Sequence, residues 1–232
     1  MEYDAHSEWR RIGAVDKADN VVRLCGKIPH ESIIEIGCGE GAVLAELSSR
    51  KFGAVLSGLE VSECGVGLTL RKGIPNLSEC RVYDGYNTGY PNNAFDLAIL
   101  SHVIEHVEEP RRLLREAARI GRSVFVEVPC EDTLRLARDF VPDAVGHINA
   151  FSPVTIRRFV QTCGLTVCDQ VVTDHSYDPY RFRYRRRALI YLLPRRTALR
   201  LVPSIAPRIF VYHTALLVMA DRTKSDEDKD RS

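Results

Sequence analysis

His102, Glu105 and His106 stand at spacings of three and four residues, and His147 follows downstream. Histidines and a carboxylate are the groups best suited to moving a proton near neutral pH or to holding a metal ion. If the chain from residue 102 is helical, the first three share one face. His106, helped by Glu105, then serves as a general base for a substrate that must lose a proton. Alternatively the trio, with His147, binds a divalent cation such as Mg²⁺ that positions and acidifies a hydroxyl. A third reading has the Glu-His pair only fixing its own loop through hydrogen bonds. His147 either faces a substrate pocket or hydrogen-bonds the turn ahead of Ser152-Pro153. The remaining histidines, His6, His30, His175 and His213, have no partner pattern and read as core or surface residues.

A second set of residues suits a ligand rather than a proton. Glu35-Ile36-Gly37-Cys38-Gly39-Glu40-Gly41 joins an apolar run to a helical pattern. Glycines there let the backbone turn tightly and bring free N–H groups at the helix start against a bound molecule. About 20 residues on, Glu60 ends the next apolar run, where a carboxylate can accept from both hydroxyls of a ribose. Asp84, followed by Gly85, ends the third and is placed to accept from an adenine amino group. A nicotinamide fingerprint reads G-x-G-x-x-G, and the added Gly41 departs from it.

These residues need a scaffold, and the apolar runs supply one. Strands are predicted over 32–36, 55–59, 81–83, 95–100, 124–128, 165–172 and 209–220, and helices over 42–50, 63–72, 110–120 and 152–163. Continuous Ile, Val and Leu runs suit strands buried on both faces, and their alternation with helices implies a parallel sheet. The expected architecture is a single α/β domain, doubly wound and Rossmann-like, with seven strands and an insertion before the last.

These segments resemble the class I S-adenosylmethionine (SAM)-dependent methyltransferases, specifically the small-molecule branch. The resemblance rests on Glu35 to Gly41, Glu60, Asp84, the stretch from Asn93 through Ser101-His102 and Glu105-His106 to Pro110, Glu127-Val128-Pro129, and His147 to Pro153. It implies SAM lying across the strand tips, with S-adenosylhomocysteine as product. Gly37, Cys38, Gly39 and Gly41 would pass under the methionine part, with Glu35 reaching its amino end. Glu60 and Val61 would lie at the ribose, Asp84 and Gly85 beside the adenine, and Ser101 and His102 along the floor. His106 and His147 are the catalytic candidates. Metal-dependent relatives acting on quinone rings or RNA 2′-hydroxyls carry Glu-x-x-Glu-His, and His102 replaces their first Glu, so no metal ligand is assigned. A SAM-fold binding protein without catalysis, working at a membrane surface, is the non-enzymatic alternative.

The chain of 232 residues carries a formal charge of +1, which gives no global reason to expect nucleic acid. Nine arginines and no acid nevertheless lie between Pro179 and Ala220, leaving the remainder with 23 basic against 31 acidic residues, a net of −8. That insert, about 178–208, is compatible with an anionic glycan or lipid-linked acceptor, an anionic membrane, RNA, or a lid or dimer surface paired with the acidic remainder. RNA is the least expected, and the protein is expected to be a monomer or homodimer. Residues 1–30, with Trp9, Arg10 and Arg11, form an amphipathic segment read either as a lid on the SAM site or as a helix packed on the sheet edge. Residues 221–232 read as a disordered tail. Seven scattered cysteines and a start unlike a signal peptide point to a cytoplasmic protein with reduced thiols, possible peripheral membrane contact aside.

Overall fold

A computed structural model describes residues 7–141 and 146–220; the expected tail at 221–232 lies outside them. Seven strands form one sheet: β1 (Ser32–Ile36), β2 (Val55–Glu60), β3 (Leu77–Val82), β4 (Phe95–Ser101), β5 (Gly121–Pro129), β6 (Leu165–Thr173) and β7 (His213–Ala220). Their order is β3-β2-β1-β4-β5-β7-β6. The pairs among β1 to β5 are parallel, whereas β7 runs antiparallel to both β5 and β6. An all-parallel expectation is therefore corrected at one strand. The chain leaves β6 at Thr173 and re-enters the sheet opposite it, at His213. Such a return from the same edge needs no crossover helix and gives an antiparallel strand.

Helices cover both faces. On one, α1 (Ser7–Cys25), α2 (Ala42–Ser49) and α3 (Glu63–Arg71) pack Ala18, Val21, Leu44, Leu47 and Val66 against Ile33, Leu56 and Phe125. On the other, α4 (Pro110–Ile120) and α5 (Pro153–Gln161) pack Leu113, Leu114, Ala117, Ile156 and Val160 against Ile34, Leu100 and Val126. The two apolar faces of the sheet are what the unalternating strand sequences require. In α5, Ser152 is the N-cap: it accepts from the Thr155 amide at 3.2 Å while Thr155 returns a bond to the Ser152 amide.

The insert folds as α6 (Tyr177–Tyr184), a 3₁₀ turn, α7 (Ala188–Leu201) and α8 (Ala206–Ile209). The last strand, expected over 209–220, begins only at His213, because Ile209 closes α8, where Pro207 lies in the first turn and its missing N–H costs nothing. The nine-arginine segment is anchored by one of its members. The Arg195 guanidinium meets Asp174 through Nε at 3.0 Å and Nη2 at 2.9 Å, also donates to the Val211 carbonyl, and lies over the Tyr212 ring at 4.8 Å. Among the described residues no other arginine of the nine pairs with a carboxylate.

Candidate active site

The glycine loop follows β1, the strand on either side of which the sheet order turns in opposite directions, and such switch points place a ligand crevice at the strand ends. Gly37, Gly39 and Gly41 all adopt left-handed backbone. A Cβ at Gly37 would fall 2.7 Å from Val103, and at Gly41 2.6 Å from Thr69. At Gly39 it would meet nothing, because that position faces open space. The glycines at 37 and 41 thus serve packing, and the one at 39 leaves room for a ligand.

A cavity of about 460 Å³ opens above the loop. Its floor is Glu35, Gly37, Cys38, Gly39, Ser101 and His102; Trp9, Arg10 and Lys17 of α1 form one wall, and Glu131, His147, His175 and His213 the other. Gly41, Glu60, Val61, Asp84, Gly85 and His106 are not among its lining residues. Helix α1 packs on interior strands, with Phe125 of β5 and Leu217 of β7, and not on the sheet edge, while Trp9 and Arg10 at its start wall the cavity. Ser7 and Arg10 reach Glu40 of the glycine loop at 3.2 Å each, and Asn20 donates to Glu127 at 2.6 Å.

Glu35 is buried, and burial pushes its carboxyl up to about 8 against the pull of Lys17. Its Oε2 is buried with no hydrogen-bond partner. Glu60 is pinned at the tip of β2, accepting from the Gly39 amide at 2.8 Å and the Ser62 amide at 3.1 Å. Asp84 differs from expectation. Its Oδ1 accepts from the Tyr86 and Asn87 amides at 2.8 and 2.6 Å, and its Oδ2 from the Asn87 side chain. These bonds hold its carboxyl down at about 2, and the group caps its own turn.

Residues 102–109 form turns, not a helix, so His102, Glu105 and His106 do not share a helical face. His102 instead adopts left-handed backbone, φ 58°, which is costly for a side chain with a Cβ. This aims its ring inward, Nε2 3.0 Å from Nδ1 of His213, while Nδ1 lies 3.3 Å from Glu105. Burial holds His102 and His213 well below the usual histidine range, so both are neutral. His175 packs on His213 at 4.3 Å and is held by Asp16 at 3.2 Å. Glu127 accepts from Ser101 at 2.9 Å. His147 meets Glu131 through Nδ1 at 2.8 Å, and the His106 ring stands edge-on to it at 4.6 Å. His106 Nδ1 lies 3.2 Å from the Gly146 carbonyl.

Two groups of donors each lie within 4.8 Å of one another: His102, Glu127 and His213, and Glu105, His106 and His147. Glu131, His175 and His213 had no local signal in the sequence. Their partners are 16 to 159 residues away, and only the antiparallel return of β7 brings His213 to His102.

A doubly wound sheet with a glycine loop at its switch point and a carboxylate at the next strand tip defines a nucleoside-ligand fold. The family described as "Methyltransferase domain" matches residues 7–170, and the chain belongs to it, within the class I SAM-dependent methyltransferases. The chain is 27% identical over 96 residues to ajmaline N-methyltransferase of Rauvolfia serpentina, covering 40% of this chain and 33% of that protein. It is 24% identical over 132 residues to a ubiquinone biosynthesis O-methyltransferase of Sodalis glossinidius, covering 53% of this chain and 52% of that protein. The matches thus span about a third to a half of those curated relatives. Among solved structures, the cyclase SpnF superposes with TM-score 0.65 at 16% identity, over 89% of this chain and 81% of its own; at that identity the likeness is one of fold.

The residues present fit SAM. The orphaned Glu35 oxygen suits an ammonium, and Gly39 leaves a cradle that a Cβ would fill. Among the described residues no helix is long and apolar enough to cross a membrane.

Proposed function

We propose that the protein transfers the methyl group of SAM to a hydroxyl of a small-molecule or glycan-like acceptor, with His147 as general base. The observation that carries this reading is the His147–Glu131 contact of 2.8 Å on the wall of the cavity that the glycine loop floors. A carboxylate on Nδ1 favours the tautomer in which Nε2 is the basic nitrogen, and it stabilises the imidazolium formed when a proton arrives. SAM supplies an activated methyl on a sulfonium, so holding acceptor and methyl in line accounts for much of the rate. Glu35 would take the methionine ammonium, and Gly37, Cys38 and Gly39 would pass beneath it. Ser101 and His102 would floor the site, Glu60 with Val61 would take the ribose, and the Asp84–Gly85 turn would border the adenine. A base is needed where the acceptor is a hydroxyl and dispensable where it is a neutral amine, which is why a positioned His–carboxylate pair favours O-methylation.

His147→Ala should lower kcat by about 10²–10⁴-fold while leaving SAM affinity unchanged in calorimetry. Unchanged turnover in that variant would remove His147 from the chemistry.

A second reading has support of its own. Neither buried Glu105 oxygen makes a hydrogen bond of good geometry, His102 Nδ1 standing 3.3 Å from Oε1 and nothing meeting Oε2, and Glu105, His106 and His147 lie within ligand distance of one another. One carboxylate with two imidazoles suits a transition ion better than Mg²⁺, which prefers oxygen. Activity that survives chelation supports His147 as base. Loss on chelation with rescue by Mn²⁺ or Zn²⁺, and not by Mg²⁺, supports metal-assisted transfer.

A further inference from the structure

We infer that the outward face of α7 docks the protein on an anionic lipid bilayer, and that the chamber beneath α7 takes the methyl acceptor from that surface. The acceptor half rests on the methyltransferase reading; the docking half does not.

The insert exposes apolar surface that a soluble face does not need. Of the 22 large apolar side chains exposed among the described residues, 11 lie between residues 177 and 211. In α7 only Ala188 and Leu192 are buried, while Leu189, Ile190 and Leu193 are 50–68% exposed. At 100° per residue, Leu189, Leu193, Arg196 and Arg200 fall along one outward stripe, with Ile190 at its margin. Three exposed arginines, Arg185, Arg186 and Arg187, immediately precede the helix. An apolar patch flanked at both ends by arginines that pair with no carboxylate is the composition of a helix lying in an anionic interface.

The surface favours lipid over RNA. Base stacking needs presented aromatic faces, whereas Tyr180, Tyr184 and Tyr191 stack on one another at 6.0 and 4.1 Å. Tyr191 of α7, though 44% exposed, is engaged with Tyr184, and the other exposed large apolar side chains of the helix are leucine and isoleucine.

The face also adjoins the chemistry. A second cavity of about 460 Å³ lies under α7, bounded by Tyr191 and Pro194 on one side and by His213 on the other. It shares Trp9, His175, Arg183, Val211 and His213 with the cofactor cavity. Ile190 lines it and is also 68% exposed, at the rim. Aromatic walls with Arg183 suit an amphiphile whose apolar part packs on rings and whose anionic group meets a guanidinium.

The test is co-sedimentation of the full chain with phosphatidylcholine vesicles and with phosphatidylcholine–phosphatidylglycerol vesicles, at low and high salt. Wild type should sediment with the anionic vesicles only, and salt should weaken it. Replacing Arg185, Arg186 and Arg187 with alanine should weaken binding about a hundredfold. Leu189→Ser with Leu193→Ser should also release the protein, while calorimetric SAM binding stays normal in both variants because neither set lines a cavity. Two results would overturn docking: no sedimentation of wild type, or sedimentation indifferent to the leucines and matched by equal affinity for single-stranded RNA or an acidic peptide. For the acceptor half, lipid extract should be methylated by wild type and SAM in vesicles and not by the leucine variant. Vesicle binding by a protein that fails to bind SAM would sink the methyltransferase reading and leave docking intact.

Discussion

Two glycines separated by one residue should respond oppositely to substitution. Gly39→Arg places its side chain in open space and in the cavity, so SAM binding should be lost while the melting temperature falls only by the cost of a left-handed residue, about 1–2 kcal/mol. Gly41→Ala bears the same left-handed cost and also drives a Cβ into Thr69, so it should cost more stability, about 2–5 kcal/mol, without blocking the site directly. Calorimetry with SAM and thermal melts separate the two. Glu35 gives a proton signal. Burial raises its folded pKa to about 8 from an ordinary 4.5, so between those values the folded carboxyl holds a proton that the unfolded chain has released, and stability is lost as pH rises toward 8. Unfolded, His102 and His213 titrate in the ordinary histidine range and have released most of their protons by about pH 7.5, so only above that do they add little to this slope, while buried Glu105 and Glu127, also raised, add to it with the same sign. The melting temperature of cofactor-free protein should therefore decline from about pH 7.5 to 8, and Glu35→Gln should make the decline shallower. A SAM ammonium beside Glu35 favours its ionised form, so binding near neutral pH should release up to about one proton. Calorimetry in two buffers of different ionisation enthalpy reads that proton, and identical heats would remove the ammonium from Glu35. The glycine loop, Glu35 and Glu60 were legible because they are contiguous with a strand. The pairs His147–Glu131 and His102–His213 were not, since each joins two separate segments.

At the scale of elements, sequence reading succeeded where one local signal dominates. Helix α4 begins at Pro110 and ends before Gly121 as expected, and Ser152-Pro153 starts α5. Ser152→Ala should cost about 1 kcal/mol of stability through the lost cap. Where spacing left the conformation open, as at His102, Glu105 and His106, the helical alternative does not hold, and the chain turns between β4 and α4. The insert hid a division of labour among arginines that look alike in sequence. Arg195 is buried against Asp174, so Arg195→Ala leaves an uncompensated buried carboxylate and should destabilise by about 3 kcal/mol in thermal melts. Alanine at Arg186, which is exposed and pairs with no carboxylate, should leave the melting temperature nearly unchanged.

For the molecule as a whole, the sheet order and the single antiparallel strand decide what the insert can reach. Seven strands and two apolar faces were legible from composition and alternation, whereas the placement of β7 between β5 and β6 was not, because pairing partners leave no periodic mark on either strand. Since β6 ends and β7 begins at the same edge, everything between them projects over the end of the sheet that carries the glycine loop. That order also bears on how the protein is made. A chain growing from its N-terminus has completed six strands before His213 is added, with β5 and β6 not yet joined by the strand that lies between them. Until the last eight strand residues arrive, the edge of β5 stands open to unwanted pairing and the cavity lacks His213. A nascent chain released before β7 should therefore engage chaperones and bind no cofactor, and the emergence of β7 is the step that closes both sheet and site.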